Sequence, residues 1–284
     1  MNDTNGAVRI PTSGARPAPF DVRDFARTAQ GSLRASLDLD AVAGLPAAAA
    51  RTLRTLAVLE GATMAHLRNV LVTPTHKDAR VTAFLVSWAY EKYWIADALH
   101  LIADAAAPAG ASTAESAPRA PARETGRGPI RRALAGFGQG PDVVGAHLAL
   151  GFVDDLVLDL AYERLGAAER ADGVDAAVVL AEAVARIRAV KARHTRFFEA
   201  EAAGRLTASP RSARLARREL ARSPWPLGSG SVAADDRRAF ARFALGHRAG
   251  GAGGTGAERL ARGIRSLPGI DARTAARVIR RLEA

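Results

Sequence analysis

The chain of 284 residues has no cysteine. Disulfides, thiolate metal ligands and cysteine nucleophiles are therefore excluded. Lysine is nearly absent too: of 40 basic residues only Lys77, Lys92 and Lys191 are lysines, and the rest are arginine. Apolar runs are short. None approaches the ~18 residues of a membrane span, and Met1 to Pro19 lack the apolar core of a signal peptide, so a cytoplasmic protein without membrane contact is expected. No period-two alternation marks a strand. No Gly-rich phosphate loop, Ser/His/Asp order or His-Glu-x-x-His zinc motif is present.

The net charge of +11 invites a nucleic-acid partner. Two observations argue against one. Arginine with abundant alanine reads as the codon bias of a GC-rich genome, and the arginines are spread over amphipathic segments rather than gathered in one tract. Nucleic acid is therefore not the expected partner.

Residues 1–47 are rich in Pro, Gly, Ala and Ser and read as a flexible N-terminal arm, with one short helix between Asp21 and Leu39. From Ala48 the pattern is helical. A first long helix runs to Val72, where Thr-Pro-Thr ends it, and a second runs from Lys77 to Ala105. Residues 106–128 form a Pro/Ala/Ser-rich linker expected to be disordered, followed by a short helix over Pro129 to Phe137. A third long helix covers Asp142 to Gly166 and a fourth Val174 to Leu206. Two helical pairs joined by one long connection give an all-α four-helix bundle over 48–206 with a crossover. Residues 207–284 read as a C-terminal helical extension, with helices over Arg211 to Arg222 and Ala233 to Leu245 and a final pair.

Each long helix carries an apolar seam at steps of three and four. The first has Leu53, Leu56, Glu60, Thr63, Leu67 and Val70; the second Leu85, Trp88, Lys92, Ile95, Leu99 and Ile102. The third has Leu148, Gly151, Asp155, Leu158, Tyr162 and Leu165; the fourth Leu180, Val184, Ile187, Lys191, His194 and Phe198. One ionisable residue therefore stands near the middle of each seam: Glu60, Lys92, Asp155 and Lys191, with His194 as a fifth. A single polar seam residue is usually a register device. Four at matching heights are different, because unpaired buried charge is very unfavourable.

Lys191-Ala-Arg-His194-Thr-Arg-Phe-Phe resembles the fourth-helix motif of the ferritin-like superfamily of carboxylate-bridged di-iron proteins, Glu-x-x-His followed by aromatics, with Lys in place of Glu. Trp88-Ala-Tyr-Glu-Lys92-Tyr-Trp-Ile95 is similar to the second-helix motif, with Lys92 at the Glu position and Ile95 at the His position. Glu60 and Asp155 then stand where that family's two single carboxylates belong. Trp225-Pro-Leu-Gly-Ser-Gly is similar to a segment of bacterial ferritin-like proteins of unassigned function. The resemblance spans Ala48 to Leu206 and implies a ferritin-like bundle.

What the resemblance implies about metal is altered by the substitutions. Three of six ligands keep their type (Glu60, Asp155, His194), two carboxylates are lysine and one His is Ile. An ammonium does not bind a divalent cation, and two repel one. A metal-free, degenerate site is expected, in which two carboxylates and two ammoniums form a compensated cluster. At an effective dielectric of ~20 one pair at ~4 Å attracts by about 4 kcal/mol before desolvation. The alternative is a reduced site for iron or manganese built from Glu60, Glu91, Asp155 and His194, Glu91 being brought in by a one-residue helical irregularity. Lys92 and Lys191 are also the candidate catalytic residues, since a desolvated lysine can act as base or Schiff-base nucleophile. The same lysines suit a small anionic or carboxylate ligand, and a homodimer is compatible with the pattern.

The remaining signals are weaker. His66, His76, His100 and His247 read as surface or packing residues, His147 as too far from Asp155 to share a metal, and Glu163 as solvent-facing. Asp154 and Asp159 could supply a substitute ligand, but adjacent residues on a helix face different ways. Leu267-Pro-Gly-Ile-Asp271 between two helices resembles a helix-hairpin-helix DNA-binding turn, with Asp271 at its second Gly. An ordinary turn between docking helices is the expected reading, and DNA association through this hairpin the third functional class.

Overall fold

A computed structural model gives the fold and describes residues 19–107, 140–172, 175–246 and 254–284. All regular structure in them is helical, with no strand among the described residues. The linker expected over 106–128, the helix expected over 129–137, most of the Gly-rich run, His247 and the first eighteen residues lie outside them or nearly so.

The long helices are α2 (Ala47–Gly61), α4 (Ala79–Ala105), α5 (Val143–Asp172) and α6 (Asp175–Ala208), preceded by α1 (Val22–Arg27). The first predicted helix is broken: α2 ends at Gly61, and α3 (Thr63–Leu71) continues it. The break falls where the 225–230 loop presses on the helix. A Cβ on Gly228 would stand 2.3 Å from the Ala62 Cβ, and Gly228 has φ +83°. Only glycine brings a backbone that close in that conformation.

Local chemistry starts each element. Thr73 and Pro74 open a 3-10 turn, and Asp78 then caps α4 by accepting from the Val81 amide at 3.0 Å. Arg205, near the end of α6, donates to the same Asp78 and ties the two helices together. Ser209 caps α7 (Pro210–Arg222), whose first-turn proline costs no hydrogen bond. After α8 (Ala234–Leu245), Thr255 and Glu258 form a capping box at α9 (Gly256–Arg265), and Asp271 caps α10 (Ala272–Glu283).

Every seam residue named above whose side chain is described is buried. The helices pack as two pairs, α2 on α4 and α5 on α6, and the seams meet between them. Of these helices α5 is apolar nearly all round, from Val143 through Leu165. Its second face is covered by α7, α8 and α9, and α10 packs on α7, α8 and α9 in turn. The extension is thus a second layer over one bundle helix.

The N-terminal segment differs from the expected arm. Its helix is confined to Val22–Arg27, and the segment lies against α4 and α6. The reason is aromatic: Phe20 and Phe25 join Phe84 and Phe197 in one packed group, with the Phe84 and Phe197 rings stacked at 3.7 Å. Arg80 and Arg193 donate to the carbonyls of Phe20 and Thr28, and Arg186 to that of Ser36, at 2.7, 3.2 and 2.6 Å.

Candidate functional site

Glu60 from α2, Lys92 from α4, and Asp155 and Lys191 from α5 and α6 converge between the helix pairs. Their relative exposures are 0, 1, 1 and 2%. The Lys191 ammonium donates to Asp155 Oδ1 at 2.7 Å and lies 3.1 Å from Glu60 Oε1. The Lys92 ammonium is paired with Glu60 Oε2. Tyr162, two turns after Asp155 on the same face, donates its hydroxyl to Glu60 Oε1 at 2.9 Å. Both ammoniums also stand over aromatic faces, Lys92 5.6 Å from the Trp88 ring centre and Lys191 5.8 Å from that of Tyr162. Among the described residues, Asp155 Oδ2 meets no donor.

The electrostatics follow from burial set against pairing. Burial alone would raise the Glu60 pKa, but the Lys191 and Lys92 charges overcome it and bring it down to about 2. Burial disfavours the Lys191 ammonium, yet Asp155 and Glu60 hold its pKa above the ordinary lysine value. That keeps it charged and removes the neutral amine a base or Schiff-base nucleophile requires. Asp155 is pushed up by burial, against the pull of Lys191 and Lys92. Burial drives Tyr162 well above an ordinary tyrosine, and the Glu60 charge adds to this, so its hydroxyl stays a donor.

Asp154, adjacent to Asp155, points another way. Its Oδ1 accepts the Leu227 amide at 2.7 Å, so it anchors the 225–230 loop to α5. Burial raises its pKa to about 7, opposed by Lys92 and by that amide.

Glu91 and His194 form a separate hydrogen-bonded network between α4 and α6. His194 Nε2 lies 2.6 Å from Glu91 Oε2, and Arg193 and the Gln30 amide (2.6 Å) both donate to Glu91 Oε1. Glu91 is one residue from Lys92 and so turned by ~100° around the helix, which separates the two groups. α4 has no irregularity that would carry Glu91 inward. Burial, reinforced by Lys191 and Lys92, depresses the His194 pKa well below the usual value, so the ring is neutral. Burial raises the pKa of Glu91, against the Gln30 amide and Arg193.

Of the five residues expected in one central cluster, the structure brings together Glu60, Lys92, Asp155 and Lys191 and sets the fifth, His194, apart with Glu91. The residues it passed over are Tyr162, visible only as a seam position, and Arg193 and Gln30, which carry no sequence signal. Asp159 is not a substitute ligand: Arg188 holds both its oxygens, at 2.7 and 2.9 Å. Glu163, expected to face solvent, is paired instead with Arg259 of α9 at 2.5 Å, because the second layer covers it. His147 bonds Thr75 at 2.9 Å, away from the cluster. Among the described residues no group of three or more His, Asp or Glu side chains is arranged to hold a metal ion. The alternative set Glu60, Glu91, Asp155 and His194 does not fit one either. Ammoniums stand against Glu60 and Asp155, and Glu91 is already held by His194 Nε2, Arg193 and the Gln30 amide, while His194 Nδ1 meets no partner among the described residues.

No family model, curated protein or solved structure matches the chain.

Proposed function

We propose that this is a divergent ferritin-like protein working as a metal-free helical scaffold. Lys92 and Lys191 supply, between Glu60 and Asp155, the positive charge that a pair of metal ions supplies in di-iron carboxylate bundles. One observation carries the reading: the Lys191 ammonium bridges Glu60 and Asp155, and the Lys92 ammonium is paired with the second oxygen of Glu60, so positive charge already occupies the space between the carboxylates. Full burial of the cluster and the retained charge of Lys191 support a structural role over catalysis by either lysine.

The test is elemental analysis of untagged protein from cells grown with added iron and manganese. The expected result is no stoichiometric metal. Stoichiometric iron or manganese in the wild type, lost in Asp155→Asn and His194→Ala, would overturn the proposal in favour of a reduced-ligand oxidase or oxygenase.

A further inference from the structure

Read along the chain, the arginines are dispersed. The fold gathers them. α7 and α10 carry nine arginines against two glutamates, and so account for seven of the eleven net positive charges of the whole chain. Fifty residues apart in sequence, the two helices pack side by side. Their outer faces form an open groove of about 650 Å³ whose walls are arginine, with Ala221 its one apolar lining residue.

The groove is arranged rather than merely rich in charge. On α10, Arg273, Arg277 and Arg281 are spaced by four residues, and on α7 Arg218 and Arg222 are too. Like charges at this spacing face each other on one side of a helix and destabilise it. Two arginines at the groove brace its walls: Arg281 donates to the Ala221 carbonyl at 2.8 Å, and Arg217 to the Gly269 carbonyl at 2.6 Å. Arg222, Arg273, Arg277 and Arg280 are exposed and bond to no acidic side chain among the described residues. Arg218 is paired with Glu219 at 3.0 Å, and the carboxylate that lines the groove, Asp271, is engaged in capping, its Oδ1 accepting from the amide and hydroxyl of Thr274, each at 2.7 Å. The hairpin turn itself is not the binding element. It is docked on α7, where a Cβ on Gly269 would meet the Ala213 Cβ at 3.0 Å.

We infer that the α7/α10 groove binds the phosphate backbone of a nucleic acid. Guanidiniums suit this ligand, because each planar fork can hold two phosphate oxygens, and they recur every ~6 Å along each helix wall. A membrane surface is disfavoured because a lipid-binding helix needs large apolar side chains beside its basic face. Here Leu220, Val278 and Leu282 are buried between the layers. An acidic protein partner would need apolar anchors that the groove equally lacks. The inference is independent of the metal-free reading of the core.

The test is fluorescence anisotropy of the full chain with a labelled 20-base-pair DNA duplex across a salt series. An RNA of the same sequence distinguishes the two nucleic-acid sources. Neutralising about five phosphates gives a slope of about −4.5 in log K against log salt, hence about 500-fold weaker binding between 50 and 200 mM salt. Arg273→Gln/Arg277→Gln/Arg280→Gln should weaken binding and flatten the slope by about 2.7. Arg23→Gln/Arg27→Gln/Arg34→Gln, which removes equal charge from the exposed arm, should not. Circular dichroism and thermal melts of both variants verify that the fold is kept. The inference is overturned by absent binding to both nucleic acids, by equal effects of the two triple variants, or by no effect of the groove variant. Capture by phosphatidylserine vesicles, or by polyglutamate, in preference to nucleic acid would overturn it as well.

Discussion

Replacing Lys191 by Met keeps most of the buried stem and deletes only the charge. In the wild type that ammonium is the single donor to Asp155 among the described residues and, with Lys92 and Tyr162, a partner of Glu60. Without it, Asp155 keeps no donor in an environment that already pushes its pKa up. It must either stay ionised and unpaired or take up a proton on folding. Removing one member of a buried ion pair typically costs about 3–5 kcal/mol. For a chain of this size about 4 kcal/mol lowers the melting temperature by about 10 °C. The diagnostic experiment is a double-mutant cycle followed by urea unfolding. Asp155→Asn in the Lys191→Met background removes the stranded carboxylate and leaves Glu60 with Lys92 and Tyr162, a balanced group. The double variant should therefore recover about 2–3 kcal/mol relative to the sum of the single effects. A Lys191→Met cost below about 1 kcal/mol, or additivity in the cycle, would refute the compensated-cluster argument.

Two further outcomes follow from the same structure. Asp154, held at about 7 by burial, binds a proton more tightly folded than unfolded. Its contribution is full below pH 3.8 and is lost as pH rises through 7. Asp154→Asn keeps an acceptor for the Leu227 amide without this loss, so the variant should be the more stable at pH 8, by up to about 4 kcal/mol, with the gap closing toward pH 4. Thermal melts of both proteins across that range decide it, and parallel curves would count against a buried, protonated Asp154. Gly151→Ala places a Cβ 2.6 Å from the Phe198 ring, against a group locked by Trp88 and Phe84. It should cost about 1–3 kcal/mol in urea unfolding, and a neutral result would show that this packing can yield.

How much of this was legible beforehand depends on the range of the cause. Periodicity reports which side of a helix is buried, so the seams of α2, α4, α5 and α6 could be read directly, with Glu60, Lys92, Asp155 and Lys191 among them. It does not report how many sides are buried. The spacing marks one seam on α5 although Val143–Leu165 is apolar nearly all round, and it gives no sign of the Glu163–Arg259 pair. The separation of Glu91 and His194 from the lysines rests on ~100° of helix rotation between adjacent residues. It also needs the Gln30 amide, which only the folded arm delivers. The arginine groove was invisible for the same reason, since its walls come from segments fifty residues apart.

The all-round burial of α5 has a consequence for how the molecule holds together. A helix solvated on one side can fray or part from its neighbour while the rest of a protein stays folded. Over Val143–Leu165 α5 has almost no such side: one face closes the ion-pair cluster and the other closes the layer of α7, α8 and α9. Opening either face exposes the apolar surface of the other layer's main support, so bundle and extension are expected to open as one cooperative unit. On that expectation the stretch that opens together runs from the N-terminal aromatic group to α10.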